Sequence, residues 1–134
     1  MPEKYQYSDI DIDFNKNVFT SDVSRKLDKN SVQQSIVNII MTIPGEKPFN
    51  RSFGFGMHSL LFENLGPLDE MLMKNNMKLA IHNYEPRVSV DDIFFITSEV
   101  DSNQLTVKID YNILKGRNAP PIHDSVSIGI SKVR

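Results

Sequence analysis

Leu105, Val107, Ile109, Tyr111 and Ile113 alternate with Thr106, Lys108, Asp110 and Asn112, the clearest period-two run in the chain. A strand of this kind has one apolar face and one wet face, so it needs a covering layer on one side and pairing strands beside it. Two further runs fit that need. Val126, Ile128 and Ile130 alternate with Ser125, Ser127, Gly129 and Ser131. Upstream, Val88 and Val90 alternate, Asp91-Asp92 interrupts, and Ile93-Phe94-Phe95-Ile96 resumes; a bulge near Asp91 reconciles the two halves. Asp101-Ser102-Asn103 reads as a hairpin turn, and Lys115 to Asp124 as a polar connection containing Pro120-Pro121.

The preceding segment supplies the cover. Val32, Ile36, Ile39, Ile40 and Ile43 recur on one helical face, opened by the capping-box pattern Ser31-Val32-Gln33-Gln34 and ended by Pro44-Gly45. A short helix follows, with Met57, Leu60, Leu61 and Leu65 on one side. Gly66-Pro67 then starts a longer helix reaching Tyr84. That helix has two apolar stripes, one through Leu68, Leu72 and Leu79, the other through Met73, Met77, Ala80, Ile81 and Tyr84, which calls for cover on more than one side. Ile36, Ile39, Ile40, Leu61, Leu72, Val107, Ile109 and Ile128 are the expected core. The first thirty residues are polar and poorly periodic. Asp9, Asp11 and Asp13 alternate there with Ile10, Ile12 and Phe14, placing three carboxylates on one strand face; Val18-Phe19 reads as a short extended piece. The chain divides into an extended N-terminal arm, residues 1–30, and a single α+β domain, residues 31–134. In that domain two to three helices pack on a small, mainly antiparallel C-terminal sheet.

Charge and composition narrow the function classes. Fifteen Lys and Arg face 17 Asp and Glu, a net charge of -2, which weighs against sequence-independent nucleic-acid binding. The absence of Cys removes disulfides, thiolate nucleophiles and Cys-ligated zinc. No apolar run approaches the ~20 residues that span a bilayer, and the N-terminus lacks a signal-peptide pattern. A soluble protein of a reducing compartment, or part of an assembly built there, with no membrane partner, is the expectation.

Catalytic chemistry finds little footing. His58, His82 and His123 show no metal spacing, and Asp9, Asp11 and Asp13 lack the glycine and downstream glutamate of a calcium loop, so neither metal nor cofactor is expected. A lysine-facing strand edge is the simpler reading of the aspartates. Phe53-Gly54-Phe55-Gly56 lacks the lysine and the strand-to-helix setting of a phosphate cradle and reads as a tight turn with packed rings. A glycosidase needs two carboxyl groups about 5–10 Å apart. Glu46, Glu63 and Glu85 are available, yet spacing pairs none of them with a second carboxylate. Pro86 forces Glu85 out of helical geometry, so Glu85 and Arg87 flank a helix-to-strand corner. There they form an in-chain ion pair or meet a neighbouring chain.

From Pro44 to Phe62 and from Asn83 to Val88 the chain resembles the small baseplate wedge, or sheath-initiator, family of contractile-tailed bacteriophages. Relatives occur in contractile secretion machines, and some carry an old lysozyme-like label. The likeness rests on the helix running into Pro44-Gly45-Glu46-Lys47-Pro48-Phe49, then Phe53-Gly54, Leu61-Phe62-Glu63 and Asn83-Tyr84-Glu85-Pro86-Arg87-Val88, followed by alternating strands. Lys47 stands where the family usually has Arg, keeping the charge but not the bidentate fork. The resemblance implies a structural virion protein of the tail baseplate, without enzymatic activity, assembled in the bacterial host cytoplasm in six copies per tail. It implies as partners other wedge subunits, hub and tail-tube proteins and the first ring of sheath protein, and muramidase activity as the alternative. Glu85, Pro86, Arg87, Glu46, Lys47, Phe53 and Gly54 are the expected wedge contacts. Ser125, Ser127 and Ser131, on an uncharged strand face not blunted against pairing, are the expected edge for the sheath.

Overall fold

The computed structural model describes residues 7–62, 66–97, 104–115 and 120–131, with the side chains of residues 61 and 62 left out. Glu63, Leu65, the Asp101-Ser102-Asn103 turn and the side chain of Leu61 therefore lie outside the described residues.

The chain is α+β. Strands β1 (Ser8–Ile10) and β2 (Arg25–Leu27) precede helix α1 (Lys29–Met41), a 3-10 helix (Met57–Phe62) and helix α2 (Pro67–Tyr84). Strands β3 (Val88–Thr97), β4 (Gln104–Ile113) and β5 (Ile122–Ser131) follow. They form an antiparallel sheet in the order β3-β4-β5, with β4 central as its alternation requires. Val107, Ile109, Tyr111 and Ile113 are buried on one face, beneath α1, the 3-10 helix and α2. The β3 register shifts between Val90 and Asp92, the bulge that lets Val88 and Ile93 both face inward. The β4–β5 register is unbroken from Ile113↔Ile122 to Gln104↔Ser131.

Val32, Ile36, Ile39 and Ile40 of α1 are buried, each such side chain contributing roughly 1.5–3 kcal/mol through removal from water. Ile43 lies past the helix end and is half exposed, because α1 stops at Met41. Ser31 is not the cap. The helix starts two residues earlier, with Asp28 as N-cap, and the Ser31 hydroxyl is buried with no hydrogen-bond partner among the described residues. Leu72 also departs from expectation. It faces outward with Leu68, Met71 and Leu79, and α2 meets the core through Met77 and Ile81.

The segment before α1 doubles back rather than extending. Ser8↔Leu27, Asp9↔Lys26 and Ile10↔Arg25 pair antiparallel, so β1 ends at Ile10 before the three aspartates can share a face. Asp11 instead turns inward, accepting the Asp13 amide and the Asn15 side-chain amide and pairing with Lys26 at 3.5 Å. Val18 and Phe19 sit at the exposed turn of this hairpin, where the Asn17 side chain accepts the amides of Phe19 and Thr20. Gln34 of α1 holds the hairpin by exchanging hydrogen bonds with the main chain of Ile10 and Ile12.

Candidate functional site

Pro86 ends α2 where its sequence position demands. Glu85 caps the helix in a non-helical conformation, its amide bonded to Ile81 O, and Val88 begins β3. The Glu85 carboxylate receives a bidentate fork from Arg87, Nε to Oε1 and Nη2 to Oε2, and a hydrogen bond from Ser35 of α1. The Glu85 side chain is 3% exposed and that of Arg87 29%. The carboxylate is therefore consumed within the chain, while an edge of the guanidinium still reaches solvent. Burial alone would raise the Glu85 pKa, but the bonds from Arg87 and Ser35 outweigh it and hold the carboxyl below its ordinary value. The same hydrogen bonding raises Arg87. Tyr7 closes the corner from the hairpin side: its ring lies 5.0 Å from the Arg87 guanidinium, and its hydroxyl donates to Leu114 O at 3.1 Å. Leu114 N in turn donates to Arg87 O. Pro86 is exposed and borders a groove of about 400 Å3 that Leu79, His82 and Leu114 also line.

The glycine-aromatic loop meets the corner from the far side of Tyr84. Lys47 Nζ sits 3.9 Å over the Phe53 ring, Phe53 packs at 4.8 Å against Tyr84, and the Tyr84 hydroxyl bonds Ser52. Glu46 folds back on the end of α1, its carboxylate accepting the Ile43 amide. Gly54 is obligatory, with φ +104 and a position at which a Cβ would lie 2.2 Å from Thr42 O. That close approach lets the neighbouring Phe55 amide satisfy Ile39 O, one of the helix-end carbonyls. Lys47 and Phe53 thus reach the corner through Tyr84, whereas Glu46 and Gly54 lie against the C-terminal end of α1.

Ser125, Ser127 and Ser131 lie elsewhere, on the exposed face of β5. Among the described residues β5 has one partner strand, β4, and so a free edge ten residues long. Its start is fastened by Asp124, which accepts the Tyr111 hydroxyl at 2.8 Å and pairs with Lys29 of α1 at 2.8 Å. Burial opposes the Asp124 charge, but Lys29 and Tyr111 bind it more strongly and lower its pKa. The burial of Tyr111 and its bond to that carboxylate raise the phenol pKa. The opposite edge of the sheet, β3, is broken by its bulge, and the Lys78 ammonium donates to the bulge carbonyl, Asp91 O, at 2.8 Å.

Sequence reasoning singled out the triplet but missed Tyr7, Ser35 and Leu114, which complete its surroundings. Contacts between positions 27 to 107 residues apart leave no local pattern to read. The Lys47–Phe53–Tyr84 stack is likewise hidden, although the sequence marks each of its three members separately.

The family model for baseplate wedge protein gp25 matches residues 26–117. The baseplate wedge protein gp25 of Enterobacteria phage T4 is 37% identical over 108 residues, 81% of this chain and 80% of that protein. Two solved structures share the fold. A chain in the cryo-EM structure of the anti-feeding prophage baseplate, 6-fold symmetrised, superposes with a TM-score of 0.71 and 24% identity over 84% of this chain and 89% of that one. A candidate tail lysozyme of Geobacter sulfurreducens gives a TM-score of 0.62 and 21% identity, over 77% and 89% respectively. Most of the length matches one family model, and more than a third of the aligned residues are identical to the phage T4 protein: the chain belongs to the baseplate wedge protein gp25 family.

Proposed function

We propose that this chain is a non-catalytic structural subunit of a phage tail baseplate wedge. It joins the wedge around the hub and offers the first ring of sheath protein an edge on which to begin. Its partners in this reading are the other wedge subunits, the hub and tail-tube proteins and the sheath, with six copies per tail. The carrying observation is the asymmetry of the two sheet edges. Native proteins blunt exposed edges with bulges and lysines; β3 carries a bulge, and Lys78 of α2 reaches over to the bulge carbonyl. β5 has an unbroken register and an outer face of Ser125, Ser127, Gly129 and Ser131. That contrast supports β5 as the acceptor of an added strand through main-chain hydrogen bonds.

The corner and loop form the second surface, with the exposed Pro86, the open side of Arg87 and the Lys47–Phe53 stack offered to a wedge partner. The state of Glu85 favours a structural role over acid catalysis. A glycosidase acid needs a raised pKa, and Glu85 has a lowered one with its carboxylate fully bonded.

A proline at Ser127 tests the edge by removing a main-chain donor from β5. Baseplates should form and sheath polymerisation on them should fail, while Ser127→Thr supports normal tails in electron micrographs. Joint Ser127→Lys and Ser131→Lys substitution blunts the edge without altering the main chain, and should give the same defect should the proline variant not fold. Normally sheathed tails from a folded variant of either kind would overturn the assignment of β5.

A further inference from the structure

Gly129 stands inside β5, where glycine weakens a strand and a β-branched residue would strengthen it. Gly54 shows what the fold requires of an obligatory glycine: a left-handed φ and a backbone oxygen in the place of the side chain. Gly129 has neither. Its φ lies outside the left-handed region, and a Cβ there would find Thr106 Oγ1, its nearest neighbour, at an ordinary 3.8 Å. The fold leaves this glycine unexplained. Beside it on the open face lies a shallow hollow of about 230 Å3, lined among the described residues by Gln104, Thr106, Gly129, Ile130 and Ser131. In register, Ile96, Thr106 and Gly129 form one row across the sheet. The next place in that row belongs to whatever strand adds to β5.

We infer that the strand accepted by β5 carries an aromatic side chain in the row of Gly129, folded back over the glycine into this hollow. The inference rests on the strand-addition reading of β5 and specifies the chemistry of its partner. An aromatic ring laid across a cross-strand glycine covers backbone that the glycine leaves bare, the arrangement that rescues glycines in sheets. Among the described residues no charged side chain lines the hollow, which matches an uncharged ring better than a lysine or glutamate. The inward positions of the same strand continue the buried row of Val126, Ile128 and Ile130, which calls for apolar residues at alternate places. The occupant is therefore an uncharged, extended segment of another chain, alternating in polarity, with one ring at a fixed position. A second copy of β5 presents serine and glycine outward and does not fit.

The test uses the full chain, 15N-labelled, and two blocked ten-residue peptides with alternating Val and Thr and terminal lysines. One carries Phe and the other Ala at a central outward position. The Phe peptide should shift the Ser127 and Gly129 amides and bind about tenfold tighter than the Ala peptide. Gly129→Val, which fills the hollow, should bring the Phe peptide down to the affinity of the Ala peptide. Gly129→Ala, a smaller change, should narrow the gap should the valine variant not fold. Equal binding of both peptides at β5 would overturn the inference and leave strand addition standing. Peptides that leave the β5 amides unmoved, or self-association of the chain through β5, would overturn both.

Discussion

The two helices put their apolar residues to different work. α1 is 13 residues long and turns Val32, Ile36, Ile39 and Ile40 into the core. α2, at 18 residues, buries Met77 and Ile81 and leaves Leu68, Met71, Leu72 and Leu79 more than half exposed. Amphipathic helices are stabilised mainly by packing. α1 therefore holds the fold, while α2 both covers the sheet and presents an apolar stripe outward, beside the groove that leads to Pro86. Stability and assembly should separate along this line.

The largest effect belongs to α1. Ile40→Ala empties a fully buried site and should cost ~2–5 kcal/mol, measured by denaturant unfolding; a loss below 1 kcal/mol would erase the contrast between the helices. Next comes the corner at the end of α2. Arg87→Ala strands the buried Glu85 carboxylate and should cost about 2–3 kcal/mol at neutral pH, less than a fully enclosed pair would. The sign with pH follows from the lowered Glu85 pKa. The stabilisation is complete above the ordinary carboxyl value of 4.5 and is lost as pH falls through the folded-state value. The difference between wild type and variant should therefore shrink on acidification, and a difference that grew would contradict the ion pair. Leu72→Gln comes last. It should change monomer stability by less than about 0.5 kcal/mol, and thermal melts check this. A large loss would mean that α2 packs as α1 does.

Much of this division was legible in the sequence. The i, i+4, i+7, i+8 spacing from Val32 to Ile40 located α1, and the parity clash between Val90 and Ile93 announced the β3 bulge. α2 was ambiguous because its two stripes both satisfy helical periodicity, and periodicity cannot say which one meets the sheet. Leu72 was assigned inward for that reason. Ser31 matched a capping box, yet Asp28 precedes it and its side chain accepts the Tyr7 amide, tying the hairpin to the start of α1. That hairpin was unreadable because short polar strands lack a face to reveal them. At the corner the sequence supplied Glu85 and Arg87 two places apart; Ser35 and Tyr7, which flank the bidentate pair, are brought near only by the fold.

The fastening of β5 has a mechanical consequence. Asp124 is tied to Tyr111 and Lys29 at one end of the strand, and the unbroken ladder to β4 runs from there to Ser131. A pull drawn along the strand toward Ser131 loads the rungs together in shear, with the Asp124 ties trailing behind. A pull across the sheet at Ser131 would peel one rung at a time. Under the proposed strand addition, an arm paired alongside β5 would pull in the first direction, in which the rungs of the ladder resist together.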